Sequence, residues 1–145
     1  MRRLNYLLFV MLSMIVISCN PGDSPEINTK DYGIYKIVLE ASGENYSAKA
    51  HIYNTDNINL YDNTAGHDLG SPSILETFQE KQVYSTVNEV SNIVVQGIIT
   101  SRTPATLKMT VYKNSVNIFE KTVSLDKNNG GNNGTADIFY SSLTE

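Results

Sequence analysis

The segment with the clearest spacing for metal chemistry reads DKNNGGNNGTAD. Asp126, Asn128, Gly131 and Asp137 fall at positions 1, 3, 6 and 12 of a calcium-binding loop. Position 5 is glycine, however, and position 12 is aspartate where a bidentate glutamate is usual. The flanking residues also alternate as strands do, whereas this loop normally lies between helices. We therefore expect a Gly/Asn connection between strands, with no cofactor, and keep calcium at Asp126, Asn128 and Asp137 as the alternative.

The remaining residues that could do chemistry are sparse. His51 and His67 lie sixteen residues apart, and the chain has one cysteine, so the three or four ligands of a zinc site are not supplied. No serine-nucleophile motif and no Gly-rich phosphate loop follows a strand. The sequence therefore predicts surface histidines and a protein that is not an enzyme.

Tyrosine is abundant, at 9 of 145 residues. An exposed tyrosine ring offers apolar area with a polar tip, which suits sugar stacking or protein contacts. Tyr53, Tyr61 and Tyr84 flank an irregular middle region, and we take them as the candidate ligand-binding side chains. We interpret most of the others as strand residues of the core.

The elements that must position these side chains are strands. In GIYKIVLEA the residues expected to face the core alternate with residues expected on the outer face. The same period-2 pattern recurs in YSAKAHIY, ATLKMTVYK and TADIFYSSL. NIVVQGIIT is apolar on both faces and predicts a central strand, in which Gly97 marks a bulge or a close approach. SGEN is interpreted as a hairpin loop, Lys113-Asn114-Ser115 as a hairpin turn, and residues 62–73 as a long loop. ILETFQEKQVYSTV predicts one bent strand or two.

These patterns predict an all-β protein, an antiparallel β-sandwich of seven or eight strands of immunoglobulin-like or transthyretin-like type. A closed barrel is the alternative.

The amino terminus has the three parts of a secretory signal. Arg2 and Arg3 precede an apolar stretch from Leu4 to Ile17, which at 14 residues is shorter than the roughly 20 that a membrane-spanning helix needs. Val16, Ile17, Ser18 and Cys19 then resemble the lipobox of bacterial lipoproteins.

That resemblance implies cleavage between Ser18 and Cys19, a diacylglycerol on the Cys19 thiol and an acyl chain on the new amine. An ordinary signal peptide, or a buried N-terminal helix with an incidental cysteine, remains the alternative. The expected organisation is a signal peptide over 1–18, a lipidated tether over 19–31 and one sandwich domain over 32–145.

Charge restricts the partners. Cleavage would remove two of 11 basic residues, set against 15 acidic ones, and would move the formal charge from −4 to −6. Nucleic acid is therefore not expected as a partner, because phosphate binding requires a basic patch. Asn20 follows the cysteine where enteric lipoproteins kept at the inner membrane have aspartate, so the resemblance favours the outer membrane.

The order of features after the anchor, from YKIVLEASG through IVVQGIIT to LKMTVYKNSVNIFEKTVS, resembles the periplasmic accessory proteins of MmpS type. The missing catalytic motifs predict a non-catalytic envelope lipoprotein. Because the sequence shows no concave cluster of polar and aromatic residues, we prefer an accessory module that binds a protein partner through sheet edges or the Asp62 to Ser73 loop. Binding of a glycan or small ligand through tyrosines is the alternative function.

Overall fold

The computed structural model describes residues 30–126 and 134–144. In that part the chain forms ten strands and one short 3-10 helix. The strands are β1 (Tyr35–Gly43), β2 (Tyr46–Tyr53), β3 (Leu60–Asp62), β4 (His67–Asp68), β5 (Ser73–Phe78), β6 (Lys81–Thr86), β7 (Val94–Ser101), β8 (Ala105–Lys113), β9 (Val116–Leu125) and β10 (Gly134–Ser141), and the 3-10 helix is Ser142–Thr144.

The strands pair antiparallel in two sheets. Sheet I has the order β4-β3-β6-β1-β8-β9, and sheet II has the order β10-β7-β2-β5. The expected antiparallel sandwich is confirmed, but it has ten strands in the described part instead of seven or eight, because the irregular middle region adds short strands. The barrel alternative is wrong, because the strands divide between two sheets. β7 lies inside sheet II, as its two apolar faces predicted.

Alternation along each strand turns one set of side chains into the core. Tyr35, Ile37 and Leu39 of β1 are at most 1% exposed. A β-carbon on Gly97 would lie 3.1 Å from a methyl carbon of Leu107 and 3.3 Å from one of Leu39, so the sheets meet closely there. The predicted close approach at this glycine is confirmed.

The corner between β1 and β2 differs from the expected hairpin. The two strands do not pair, because β1 belongs to sheet I and β2 to sheet II. Gly43 has φ of 143°, which lets the chain leave sheet I. The carbonyl of Glu44 then accepts hydrogen bonds from the hydroxyls of Ser101 and Thr103, which fix the crossing.

The irregular middle region is more ordered than the sequence suggested. ILETFQEKQVYSTV forms two strands, β5 and β6, in different sheets. The segment expected to be a loop contains β4, which pairs with β3. The Asp62 carboxylate is 5% exposed and accepts hydrogen bonds from the backbone N–H groups of Thr64 and Ala65, each at 2.8 Å.

The sandwich has two ends. At the N-terminal pole β1 begins and β2, β6, β8 and β10 end, whereas the opposite pole carries the β1–β2 corner, the β5–β6 and β7–β8 turns and Asp126. The candidate signal segment, Ser18 and Cys19 lie outside the described residues. In the described part, no helix combines the length and the apolar character needed to cross a membrane.

Candidate functional site

The outer face of sheet II carries a mixed row of side chains that crosses all four strands. The register places Phe139 of β10 beside Gln96 of β7, Gln96 beside His51 of β2, and His51 beside Leu75 of β5. Phe139 is 55% exposed and Leu75 is 69% exposed. Two large apolar groups therefore stand in solvent at the two edges of one sheet, with polar groups between them.

Neighbouring rows extend this surface. The rings of His51 and Tyr53 lie 5.5 Å apart with an interplanar angle of 38°. The amide of Gln96 donates to Asp137 at 3.5 Å, and Asp137 lies beside Ile98 in the β10–β7 ladder. We call this outer surface of sheet II the recognition face; its residues are Lys49, His51, Tyr53, Leu75, Gln96, Ile98, Asp137 and Phe139.

The outer face of sheet I is different in kind. Two ion pairs run across its strands, Lys81 with Glu40 at 3.1 Å and Lys108 with Glu120 at 3.2 Å. Because these charges neutralise each other and remain hydrated, they offer a binding partner neither net charge nor apolar surface. Exposed pairs of this type contribute about 0 to 1 kcal/mol to stability. The recognition face is therefore the stronger candidate for binding.

The three candidate tyrosines do not share a surface. Tyr53 lies on the recognition face, whereas Tyr61 lies on the outer face of sheet I. Tyr84 is 1% exposed, and its hydroxyl donates to Glu76 at 3.3 Å. Burial, and then the charge of Glu76, raise the pKa of the Tyr84 phenol above its ordinary value. This corrects the expectation for Tyr84, because the alternation of β6 turns its ring into the core.

Two of the three candidate calcium ligands, Asp126 and Asp137, lie in the described part of the chain. Asp126 follows β9 and is exposed, but Asp137 is paired inside β10, three residues or about 10 Å beyond the start of the strand. Asn128 lies outside the described residues. The calcium loop from Asp126 to Asp137 therefore stays a prediction.

The described residues also lack a ready metal site elsewhere. Within 30–126 and 134–144, no three His, Cys, Asp or Glu side chains are grouped so that they could hold a metal ion. His51 lies in sheet II and His67 in β4 of sheet I. Calcium takes six to eight oxygen ligands, which can also come from backbone carbonyls, amide side chains and water.

Sequence reasoning missed Leu75, Gln96 and Phe139 as candidate contacts. The alternation of β10 does place Phe139 opposite the inward set, so the signal was a large apolar residue at an outward position. Its neighbours on the same face come from β5 and β7, which are distant in sequence, and no local pattern shows that they meet.

Three solved structures have a similar fold. A domain of unknown function, DUF4425, from Bacteroides vulgatus has a TM-score of 0.61 and 18% identity over 77% of this chain and 95% of its own. A DUF4425 family protein from Bacteroides ovatus gives 0.61 and 20% over 78% and 98%. The calcium-bound form of a protein from Parabacteroides distasonis gives 0.56 and 21% over 72% and 92%.

The other comparisons address the family. No curated protein matches the chain, and the resemblance to MmpS-type accessory proteins is not shown. A family model described as PLAT/LH2 and C2-like Ca2+-binding lipoprotein matches residues 3–133 of the 145. The match spans the candidate signal segment, Cys19 and nearly the whole sandwich, and the chain therefore belongs to this lipoprotein family.

Proposed function

We propose that the protein is a non-catalytic envelope lipoprotein, anchored through acyl chains on Cys19, that binds a protein partner through the recognition face. The observation that carries this proposal is the row of Phe139, Gln96, His51 and Leu75, in which exposed apolar groups flank a polar centre. Protein interfaces are enriched in aromatic side chains such as that of Phe139, and a few such residues supply most of the binding energy.

The shape of the face favours a protein over a small molecule. Four strands spaced about 4.8 Å apart give a surface about 14 Å wide. Small-ligand sites are concave and enclose most of the ligand, whereas an open sheet face presents its side chains to a broad partner. Leu75 adds to this preference, because a branched aliphatic side chain packs well in a protein interface but offers no ring for a sugar.

The edge of sheet II provides a second kind of contact. Among the described residues β5 pairs only with β2, so its other side presents backbone N–H and C=O groups. A partner strand could pair with this edge while its side chains contact Leu75. The proposed contact is therefore the edge strand β5, and sheet edges are one of the two contacts that the sequence suggested.

The anchor decides where the partner is met. Two or three acyl chains hold a protein at a bilayer almost permanently, because each buried methylene contributes about 0.8 kcal/mol. We place the anchored domain at the outer membrane, on the strength of Asn20 after the cysteine.

The test is capture of the C-terminally tagged protein from detergent-extracted native membranes. We expect one near-stoichiometric envelope protein to be retained by the wild type and by Tyr61→Ser, and to be lost from Leu75→Ser/Phe139→Ser. Tyr61 is the matched control because it is a partly exposed apolar group on the opposite outer face. A partner that stays bound to the double variant would contradict the assignment of the face.

Glycan binding is a second candidate function, favoured by the neighbouring rings of His51 and Tyr53. It predicts saturable binding of envelope polysaccharide by the full chain, lost in Tyr53→Ala and kept in Tyr61→Ala. Failure of Tyr53→Ala to weaken the binding would remove Tyr53 from the site.

Calcium binding is a further proposal, supported by the family description and by the calcium-bound relative and not by the described side chains. The carboxylate to test is Asp126, exposed at the end of β9. A calcium-dependent rise in melting temperature that Asp126→Asn abolishes and Asp68→Asn retains would support it. An unchanged melting temperature at millimolar calcium, with magnesium as the reference, would count against it.

A further inference from the structure

The exposed apolar side chains are concentrated toward one end of the sandwich. Among the described residues, eight large hydrophobic side chains are exposed. Two of them belong to the recognition face, and the other six lie at or next to the N-terminal pole. These six are Tyr32, Ile34, Val87, Val116, Ile118 and Leu143.

The opposite pole shows the contrast. Its described corner and turns present Glu44, Glu80, Arg102 and Asp126, and none of the exposed large hydrophobic residues lies there. The loop sequence between β9 and β10, KNNGGNN, adds no apolar residue. The sandwich is therefore polar at one end and apolar at the end where β1 begins.

The apolar groups at the N-terminal pole come from separate segments that the fold brings together. Asn114 accepts a hydrogen bond from the backbone N–H of Ile34 and donates its own N–H to the carbonyl of Ile34, each at 2.9 Å. Val116 begins β9 two residues later. Gly33 is bridged to Val90, in the loop that begins with Val87.

A lysine holds the incoming chain against this pole. The ammonium of Lys113 lies 2.6 Å from the Asp31 carboxylate, 2.8 Å from the Asp31 carbonyl oxygen and 5.5 Å from the centre of the Tyr35 ring. Burial opposes the charge, but the hydrogen bond to Asp31 and the negative charge nearby raise the pKa of Lys113. The segment that carries Tyr32 and Ile34 is thus fixed to β8.

We propose that the N-terminal pole docks on the surface of the bilayer that holds the lipidated Cys19, with Tyr32, Ile34, Val87, Val116 and Leu143 at the lipid interface. The inference rests on the proposed lipid anchor. Only ten residues separate Cys19 from Lys30, so this pole stands at most about 40 Å from the anchored residue. The apolar end is also the end at which the anchored chain enters the fold.

Because the domain is tethered to the bilayer, a modest apolar patch is enough to hold this pole at the lipid surface. A short linker gives the attached surface an effective concentration in the millimolar range, so docking requires little intrinsic affinity. Aromatic and aliphatic side chains with polar surroundings suit the interfacial region, where a tyrosine ring has one apolar and one wet side.

The charges at this pole do not favour anionic lipid. The three lysines at or next to this pole, Lys30, Lys36 and Lys113, are opposed by Asp31, Asp56 and Glu89. Attraction of a protein to a negatively charged surface needs a cluster of basic residues, which this balance does not provide. Docking is therefore expected to be insensitive to the anionic fraction of the bilayer.

The experiment uses full-length lipidated protein in phosphatidylcholine vesicles, with an environment-sensitive dye on Val116→Cys and, as the matched control, on Glu44→Cys at the opposite pole. Both positions are exposed, so labelling should leave the fold intact. A thioether-linked Cys19 cannot react, and each chain then carries one dye.

We expect a blue-shifted emission at position 116 that brominated lipid quenches at least twofold more strongly than at position 44. Adding phosphatidylglycerol to the vesicles should leave the ratio of quenching at position 116 to quenching at position 44 unchanged. Equal, weak quenching at both positions would overturn the docking while leaving the anchor intact. A blue shift that brominated lipid does not quench would show a protein covering the pole and would also overturn it. Two dyes per chain would show an unmodified Cys19, and the anchor proposal would fail together with this one.

Discussion

The Asp62 carboxylate orders the segment between β3 and β5, and its removal gives a measurable loss of stability. One oxygen accepts the N–H groups of Thr64 and Ala65 at 2.8 Å, and the other accepts the side-chain amide of Gln82 at 2.7 Å. Hydrogen bonds to a charged group contribute about 1.5 to 3 kcal/mol each.

The three contributions do not simply add, because Thr64 and Ala65 are exposed and their N–H groups would bind water once the carboxylate is gone. We therefore expect Asp62→Ala to lower the free energy of unfolding by about 3 kcal/mol. Asp62→Asn keeps one acceptor oxygen for both N–H groups, and a flip of the Gln82 amide can restore the third bond. We expect a loss of about 1 kcal/mol for that variant.

Urea denaturation followed by circular dichroism measures both values, and the slope with denaturant should not change. Asp68→Ala is the control, because Asp68 is exposed and accepts the Gly70 N–H at 2.7 Å. We expect it to lose at most about 1 kcal/mol. The reasoning fails if Asp62→Ala is no more destabilising than Asp68→Ala, or if Asp62→Asn is worse than Asp62→Ala.

Three further predictions concern the scaffold. Asn114 and Ser115 both have positive φ, 49° and 69°. Glycine adopts such a conformation without strain, so Ser115→Gly should stabilise the β8–β9 hairpin by about 0.5 to 1 kcal/mol, as measured by urea denaturation. A destabilised variant would contradict the turn assignment. Gly43 has φ of 143°, and a β-carbon there would lie 2.8 Å from the Pro104 carbonyl oxygen. Gly43→Ala should therefore lower the free energy of unfolding by at least about 2 kcal/mol. Unchanged stability would show that the corner relaxes. The neutral Tyr84 phenol contributes stability that is fully present below pH 10, the ordinary pKa of the unfolded chain, and is lost as the pH rises through the raised pKa of the folded state. Tyr84→Phe should therefore lose less stability than the wild type between pH 9 and pH 11 when urea midpoints are compared, and identical slopes would argue against the burial of that phenol.

Strand positions and their inward residues could be predicted from the sequence because the side-chain period of a strand is a local property. Tyr35, Ile37 and Leu39 had to share a face once β1 was extended, and burial of that face follows from their apolar character. The β8–β9 hairpin was predictable for the same reason, since its turn and both strands are adjacent in the chain.

Strand pairing was not predictable in the same way. β1 and β2 are separated by two residues, which is the spacing of a hairpin, yet they lie in different sheets. The choice depends on Gly43 and on hydroxyls supplied by Ser101 and Thr103, which are more than fifty residues away. The recognition face shows the same limit, because Leu75 and Phe139 share one face only after four strands have been ordered.

The proposed docking and the proposed recognition face together restrict the partner. Along β2, Tyr53 ends the strand at the N-terminal pole, and the row containing His51 lies two residues further, about 7 Å away. If the pole rests on the lipid surface, the row of Phe139, Gln96, His51 and Leu75 stands beside that surface and faces sideways. This position favours a partner that is itself held at the bilayer, because both proteins are then confined to the same surface. Cys19→Ala should therefore lose the partner even though its recognition face is unchanged.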